Sequence, residues 1–224
     1  MTAPRKTPPE VTEVARSLTP QSDQVQRWAV TLGRSLTARR GPLTGAAIDR
    51  IVKPDVEAML AADPDIAGAG FVAAEGIVGA DRNYMAWWQG PEADRVDAIA
   101  NLSASTPGRY RDTDWYRIPL TSGRLTVTGP YVDLLCTDGF LLTYTAPVEW
   151  GRPEGPLGVA GVDIAIPSLE RLLARKLAAV SATASLVNND DRIIVTVSPQ
   201  ASPGDFAEPS DQRWTIGHGL SVIA

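Results

Sequence analysis

Residues 22–60 of the chain carry a helical pattern of apolar positions. From Ser22 onward, apolar residues recur at spacings of three and four, which places Val25, Trp28, Ala29, Leu32 and Leu36 on one stripe of an amphipathic helix. A second stripe, from Ile48 to Leu60, predicts another helix, in which Pro54 is expected to cause a kink or a restart. Residues 1–21 contain four prolines and are expected to form a flexible or loosely helical leader.

After residue 65 the apolar period changes to two, which predicts strands. Turn residues separate them into residues 66–73, 82–89, 125–127 with 131, 139–145, 157–166, 182–187, 193–197 and 214–223. One helix, beginning at Pro167 and ending near Val180, interrupts this series. Two N-terminal helices followed by a mostly antiparallel sheet with one inserted helix make an α+β fold, and residues 22–224 are expected to form a single domain.

The scarcity of two residue types limits the chemistry of the chain. Among 224 residues there are six Trp but only one His, His218, and one Cys, Cys136. A zinc site of the Cys/His kind needs several such ligands, and a disulfide within the chain needs two thiols. A Ser-His-Asp or Cys-His arrangement would have to use His218, and Cys136 is expected to be a small core residue. We therefore predict no metal, no cofactor and no enzymatic activity.

Charge and hydropathy narrow the range of partners and locations. The net charge is −5 and no basic stripe is present, which argues against binding of nucleic acid. Residues 1–10 lack the apolar segment of a signal peptide, and no run of eighteen apolar residues could span a membrane. We accordingly predict a cytoplasmic location.

Asp163 is the most unusual polar residue of the predicted strands. In the segment 159–166, alternation places Gly161, Asp163 and Ala165 on one face of the strand, opposite the aliphatic residues. A carboxylate in a mostly apolar strand needs a cation or hydrogen-bond donors to offset its desolvation. Tyr131 and Asp133, two residues apart, likewise share one face of their strand.

Aromatic residues are densest in residues 110–116, Tyr-Arg-Asp-Thr-Asp-Trp-Tyr. Taken alone, Tyr110, Trp115 and Tyr116 are each better explained as ordinary core residues. Taken together with the carboxylates, they form a candidate aromatic and acidic site. Trp87 is a further candidate wall, although alternation does not decide whether Trp87 or its neighbour Trp88 faces that site.

The order and spacing of four segments resemble a Cache sensor domain, the PAS-like ligand-binding module of bacterial chemoreceptors and sensor kinases. These segments are Asp114-Trp115-Tyr116, Tyr131-Val132-Asp133, residues 143–148 and residues 158–164. The resemblance implies a PAS-like antiparallel sheet with a ligand pocket on its outer face, under a flap. In members that bind amino acids, the matching Trp, Tyr-x-Asp and second Asp hold the ammonium group, and an Arg two residues before the Trp binds the carboxylate. Here that position is Thr113.

The missing arginine favours an amine over an amino acid as the ligand. We therefore predict a non-enzymatic sensor domain for a cationic amine, with Trp115, Tyr116 and Tyr131 as aromatic walls and Asp133 and Asp163 as counter-charges. Tyr110 and Trp87 are included among the candidate ligand-binding residues. One alternative is an amino-acid sensor that uses Arg111 or Arg117; another is a dimerisation module with a vestigial pocket. The expected partners are a homodimer formed through the N-terminal helix and a downstream signalling or regulatory protein.

Overall fold

The computed structural model describes residues 7–79, 84–96, 109–132, 139–150 and 155–224 of the chain. Within these ranges lie four α-helices: α1 (Pro9–Ala38), α2 (Gly45–Ala62), α3 (Asp114–Ser122) and α4 (Ile166–Val180). The first six strands are β1 (Ile66–Ala73), β2 (Met85–Gln89), β3 (Asp94–Arg95), β4 (Thr126–Val132), β5 (Phe140–Glu149) and β6 (Pro156–Ala165). The last four are β7 (Ser185–Val187), β8 (Ile193–Thr196), β9 (Arg213–Gly217) and β10 (Leu220–Ile223). The predicted α+β, PAS-like fold is confirmed.

The strands form two antiparallel sheets. The larger has the order β3-β2-β1-β6-β5-β4, and the smaller has the order β8-β7-β10-β9. On one face of the larger sheet, alternate residues such as Phe71, Tyr144 and Val162 join the main core with α1 and α2. Helix α3 packs on the opposite face, against β4, β5 and β6. The alternating pattern does not distinguish two sheets from one, because it records burial and not which strands pair.

Helix α1 is longer than the sequence pattern indicates. It begins at Pro9, so the predicted flexible leader differs from the structure over residues 9–21. The reason is that Val11, Val14 and Leu18 continue the apolar stripe and are buried. Helix α2 likewise continues through Pro54 without a restart, and the Thr44 side chain accepts a hydrogen bond from the amide of residue 47 at its start. The division into a leader and a single domain otherwise stays a prediction.

The apolar stripe of α1 packs into the core of its own chain. Trp28 and Leu32 belong to the apolar stripe of the helix through which a homodimer was expected to form, and both are buried inside the chain. The Trp28 indole also donates a hydrogen bond of 3.0 Å to Asp55 on α2. The homodimer stays a prediction, but this stripe does not present an apolar surface to a second copy.

We expect that truncation of a buried valine in the first half of α1 destabilises the whole chain. Val14 is 0% exposed and Val30, on the same helix, is 54% exposed. Val14→Ala should lower the free energy of unfolding by about 2 kcal/mol, because it leaves a cavity, whereas Val30→Ala should lower it by less than about 0.5 kcal/mol. Urea denaturation measures both. Equal effects would show that residues 9–21 are not part of the packed structure.

The Asn188 side chain forms a hydrogen-bonded link between the larger sheet and the smaller. Asn188, in the turn between β7 and β8, accepts hydrogen bonds of 2.9 Å from the amides of Asp190 and Arg192, which shapes the turn. Its amide group donates a hydrogen bond of 2.8 Å to the carbonyl of Gly129 in β4. The Asn188 side chain therefore holds the hairpin of the second sheet against the irregular middle of β4, two residues before Tyr131.

Candidate ligand-binding site

The face of the larger sheet that carries Asp163 is built from two rows of residues that run across the strands. One row contains Gln89, Gly68, Asp163 and Thr143, from β2, β1, β6 and β5 in that order. The neighbouring row contains Trp87, Gly70, Gly161 and Thr145. The alternation predicted for Gly161 and Asp163 is thus present, and small or hydroxyl-bearing residues flank the carboxylate on both neighbouring strands.

The three glycines of these rows make room for the indole of Trp87. A Cβ atom at Gly70 would lie 2.6 Å from Cε3 of Trp87, and one at Gly161 would lie 3.2 Å from Cη2. A Cβ at Gly68 would lie 3.0 Å from Nε1 of Trp87 and 3.4 Å from Oδ2 of Asp163. The indole therefore lies against the sheet with its N–H side toward Asp163. Trp88 points to the other face and is part of the main core.

Asp163 lies at the end of a chain of hydroxyl groups. The Thr143 hydroxyl donates a hydrogen bond to Oδ1 of Asp163, and the Tyr131 hydroxyl is hydrogen-bonded to Thr143. A threonine hydroxyl has a single proton, so Tyr131 must be the donor to Thr143. Asp163 is only 9% exposed, and these donors offset part of the cost of burying its charge. The carboxylate is thereby held in one orientation on the sheet.

The predicted aromatic group assembles where the short 3-10 helix Arg109–Asp112 meets α3. Tyr110 stacks on Trp115 with ring centroids 6.2 Å apart, and Tyr116 contacts both rings edge-on at 5.3 Å and 6.0 Å. Trp87 is packed in the same cluster. Tyr110 and Tyr116 are buried, whereas Trp115 is half-buried. Of the three rings, Trp115 is therefore the one most accessible to a ligand.

Hydrogen bonds fix this group to the sheet. The Thr145 hydroxyl donates a bond of 2.7 Å to the carbonyl of Trp115, and the Tyr116 hydroxyl donates a longer one of 3.4 Å to the carbonyl of Ala73. Burial raises the pKa of Tyr110 and that of Tyr116, so both phenols stay neutral at physiological pH. The Tyr110 hydroxyl is buried without a hydrogen-bond partner among the described residues. These tyrosines provide apolar surface and neutral donors, not charge.

The two arginines proposed for carboxylate binding lie in different surroundings. Arg111 pairs with Glu75 at 2.9 Å and is close enough to Tyr110 and Tyr116 for its charge to lower their pKa values, against the larger effect of burial. Arg117 pairs with Asp114 at 2.7 Å on the exposed side of α3. Arg111 thus borders the aromatic group, whereas Arg117 is held at the surface.

The other predicted residues have different outcomes. Asp133 and Cys136 lie outside the described residues, so the role of Asp133 as a second counter-charge stays a prediction. His218 is exposed in the turn between β9 and β10 of the smaller sheet. No role was predicted for Thr143 and Thr145, although alternation along β5 places both hydroxyls on the face of Asp163. The spacing of two residues between the threonines could have indicated from the sequence that they share one face of β5.

Together these residues combine a buried carboxylate, hydroxyl donors and accessible aromatic surface on one sheet face. Such a combination is typical of a small-molecule binding site, in which a few polar groups orient a ligand held by apolar walls. A carboxylate next to an aromatic ring favours an organic cation. Among the described residues, no three His, Cys, Asp or Glu side chains are grouped as metal ligands.

The fold and the placement of this site define the chain as a PAS-like sensory domain. A family profile agrees: residues 54–171, more than half of the chain, match the methyl-accepting chemotaxis protein-like, first PDC sensor domain. The chain belongs to this family, and the resemblance to Cache domains is confirmed. Its members are ligand-binding sensor domains, not enzymes. No curated protein sequence is similar enough to count as a match.

Solved structures of chemoreceptors share the fold. Methyl-accepting Chemotaxis protein X is 17% identical, with a TM-score of 0.62 over 90% of this chain and 74% of the other. The sensory domain of Campylobacter jejuni Tlp3 with isoleucine bound is 13% identical, with a TM-score of 0.62 over 96% and 88%. The ligand-binding domain of Pseudomonas aeruginosa PctC in complex with GABA is 20% identical, with a TM-score of 0.50 over 92% and 83%. At these identities the similarity is one of fold.

Among the described residues, no helix is both long and apolar enough to cross a bilayer. The cytoplasmic location inferred from the sequence stays a prediction.

Proposed function

We propose that this sensor domain binds a small organic amine in its protonated form, on the face of the larger sheet that carries Asp163. The single observation that carries the proposal is the placement of the Asp163 carboxylate, 9% exposed, between Gly68 and Thr143 in the middle of the sheet. The neighbouring glycine leaves Oδ2 beside the Trp87 N–H edge with no side chain of β1 between them. A ligand ammonium group at this point would meet a fixed negative charge.

The aromatic residues support the same ligand class. Trp115 is anchored to β5 through Thr145, whose strand partner Gly161 is two residues, or about 7 Å, from Asp163. A cation over an indole face gains about 0.5 to 2 kcal/mol, depending on how far it is desolvated. An ammonium group bound to Asp163 would place the carbon chain of the ligand toward Trp115 and Tyr131. Asp133 would add a second negative charge.

An amino acid is the second candidate, because Arg111 borders the aromatic group. Two structural relatives were solved with isoleucine and with GABA bound. The ion pair of Arg111 with Glu75 is solvent-exposed, and such pairs contribute only about 0 to 1 kcal/mol, so a ligand carboxylate could replace Glu75 at little cost. In this arrangement Asp163 would still bind the amino group.

We expect a matched set of three ligands to separate these candidates. Butylamine has only the ammonium group, butyrate has only the carboxylate, and GABA has both on the same carbon chain. Isothermal titration calorimetry should show saturable binding of butylamine and none of butyrate, because only the ammonium group complements Asp163. Binding of butyrate without butylamine would refute the amine proposal.

Replacement of Arg111 tests the second candidate directly. If the site is an amine site, Arg111→Ala leaves the affinity for butylamine unchanged within about twofold, since the arginine contributes no attraction to a cation. If the site is an amino-acid site, the same variant lowers the affinity for GABA by about tenfold or more, and the affinity for butylamine does not change. Arg117→Ala, at the surface of α3, is the matched control for both measurements.

A further inference from the structure

A half-open cavity lies on the side of the larger sheet opposite Asp163. Helix α1, strands β4 and β5, and the end of the β9–β10 hairpin line a space of about 360 Å³. This volume lies within the range of about 300 to 1,000 Å³ that small-molecule sites occupy. Its apolar lining comes from all three parts of the fold: Ala15, Leu18, Val127, Ile216 and Leu220. Because Tyr144 alternates with Thr143 and Thr145 along β5, the cavity is separated from Asp163 by the sheet itself.

Tyr144 is the residue that makes this cavity unusual. It lines the cavity, its side chain is completely buried, and its hydroxyl has no hydrogen-bond partner among the described residues. Buried hydroxyl groups are nearly always paired, since an unpaired one retains the full cost of its desolvation. Burial also raises the pKa of Tyr144, which keeps the phenol protonated and able to donate. A hydrogen-bond acceptor brought in by a ligand would remove this cost.

The surroundings of Tyr144 define the chemistry of such a ligand. Leu18, Val127 and Leu220 are buried aliphatic residues, so a charged group next to the phenol would be poorly solvated. Most of the charged and polar residues that line the cavity, including Arg16 and His218, are exposed at its rim. Ser22 is the buried exception, and its hydroxyl donates a hydrogen bond of 3.5 Å to the carbonyl of Leu18. A wider cleft of about 700 Å³ adjoins the cavity, and Gln26 and His218 line both spaces.

We infer that this cavity is a second ligand site, for a small neutral molecule with an apolar body and one carbonyl acceptor, such as a ketone or an ester, to which Tyr144 donates a hydrogen bond. The site is independent of the proposed amine site and lies on the opposite face of the sheet. Its occupant would contact α1 and both sheets at once.

The test uses the ketone benzylacetone and the ester benzyl acetate as probes, with dissociation constants from ligand-observed NMR titrations of the full chain. We expect saturable binding of at least one probe. Tyr144→Phe should weaken it by about tenfold or more, because the variant loses only the hydroxyl and leaves the carbonyl of the probe unpaired. The free variant should melt at the same temperature as the native chain or higher, because it no longer buries an unpaired hydroxyl.

A second variant tests the volume of the cavity instead of its hydrogen bond. Ala15→Leu should abolish binding by filling the space, whereas the same substitution at the exposed Ala58 of α2 should leave binding unchanged. Asp163→Asn should also leave probe binding unchanged, which separates this site from the amine site. Failure of both probes to bind the native chain, or binding that survives both Tyr144→Phe and Ala15→Leu, would overturn the inference.

Discussion

Replacement of Asp163 by asparagine is expected to reduce the affinity for butylamine about 100-fold. The substitution keeps the size of the side chain and an oxygen that accepts the hydrogen bond from Thr143, but it removes the charge that an ammonium ligand needs. Loss of one partner from a buried, hydrogen-bonded charge pair costs about 2 to 5 kcal/mol, and about 3 kcal/mol corresponds to 100-fold. Calorimetric titration of the variant measures the effect.

The control variant must remove one negative charge, as Asp163→Asn does, but at a position away from the proposed site. Asp190→Asn does so, because Asp190 is exposed in the turn between β7 and β8. Its affinity for butylamine should equal that of the native chain, since an exposed charge at a distance is screened by salt. If Asp163→Asn binds butylamine as tightly as Asp190→Asn does, Asp163 is a structural residue and the proposed amine site is wrong.

Two glycines of β1 should respond differently to the same added methyl group. A Cβ at Gly70 would lie 2.3 Å from the carbonyl oxygen of Ala86 and 2.6 Å from Cα of Trp87. Both are backbone atoms, which cannot relieve the overlap by a change of rotamer. Gly70→Ala should therefore cost about 3 kcal/mol of stability, at the upper end for overpacking. Thermal and urea denaturation measure the loss.

Gly68→Ala is the matched comparison, two residues away on the same strand and face. There the nearest atoms are Nε1 of Trp87 at 3.0 Å, a backbone oxygen at 3.3 Å and Oδ2 of Asp163 at 3.4 Å, so the methyl group fits after a small shift. We expect little loss of stability but at least tenfold weaker binding of butylamine, because the methyl group occupies the space beside Oδ2. Equal losses of stability in the two variants would contradict the close packing of the Trp87 indole against Gly70.

Part of the site could be predicted from the sequence, because successive side chains of a strand point to opposite faces of the sheet. A period of two was enough to place Gly161 and Asp163 on one face and the aliphatic residues on the other. The same rule could not choose between Trp87 and Trp88, since it fixes the spacing and not the phase of a strand with apolar residues on both faces. The choice depends on the three glycines of β1 and β6, which are far from Trp87 in the sequence.

The parts of the fold that were not predicted have identifiable causes. Residues 9–21 contain seven polar or charged residues, two prolines and only four apolar residues, a composition that favours a loose segment. Tertiary packing of Val11 and Val14 nevertheless keeps the segment helical. Helix α3 is short and contains Pro119, and its aromatic residues carry no clear period. The separation into two sheets depends on strand pairing, which local patterns do not encode.

The hydrogen bond between Asn188 and Gly129 has a mechanical consequence. Strand β4 carries Tyr131, whose hydroxyl supports the Asp163 network through Thr143 on one side of the molecule. Through the carbonyl of Gly129, the same strand is tied to the hairpin whose turn Asn188 shapes. A sliding movement of β4 must therefore either break this bond or carry the hairpin with it. Movement of β4 along its length is therefore coupled to the second sheet for as long as this hydrogen bond is intact.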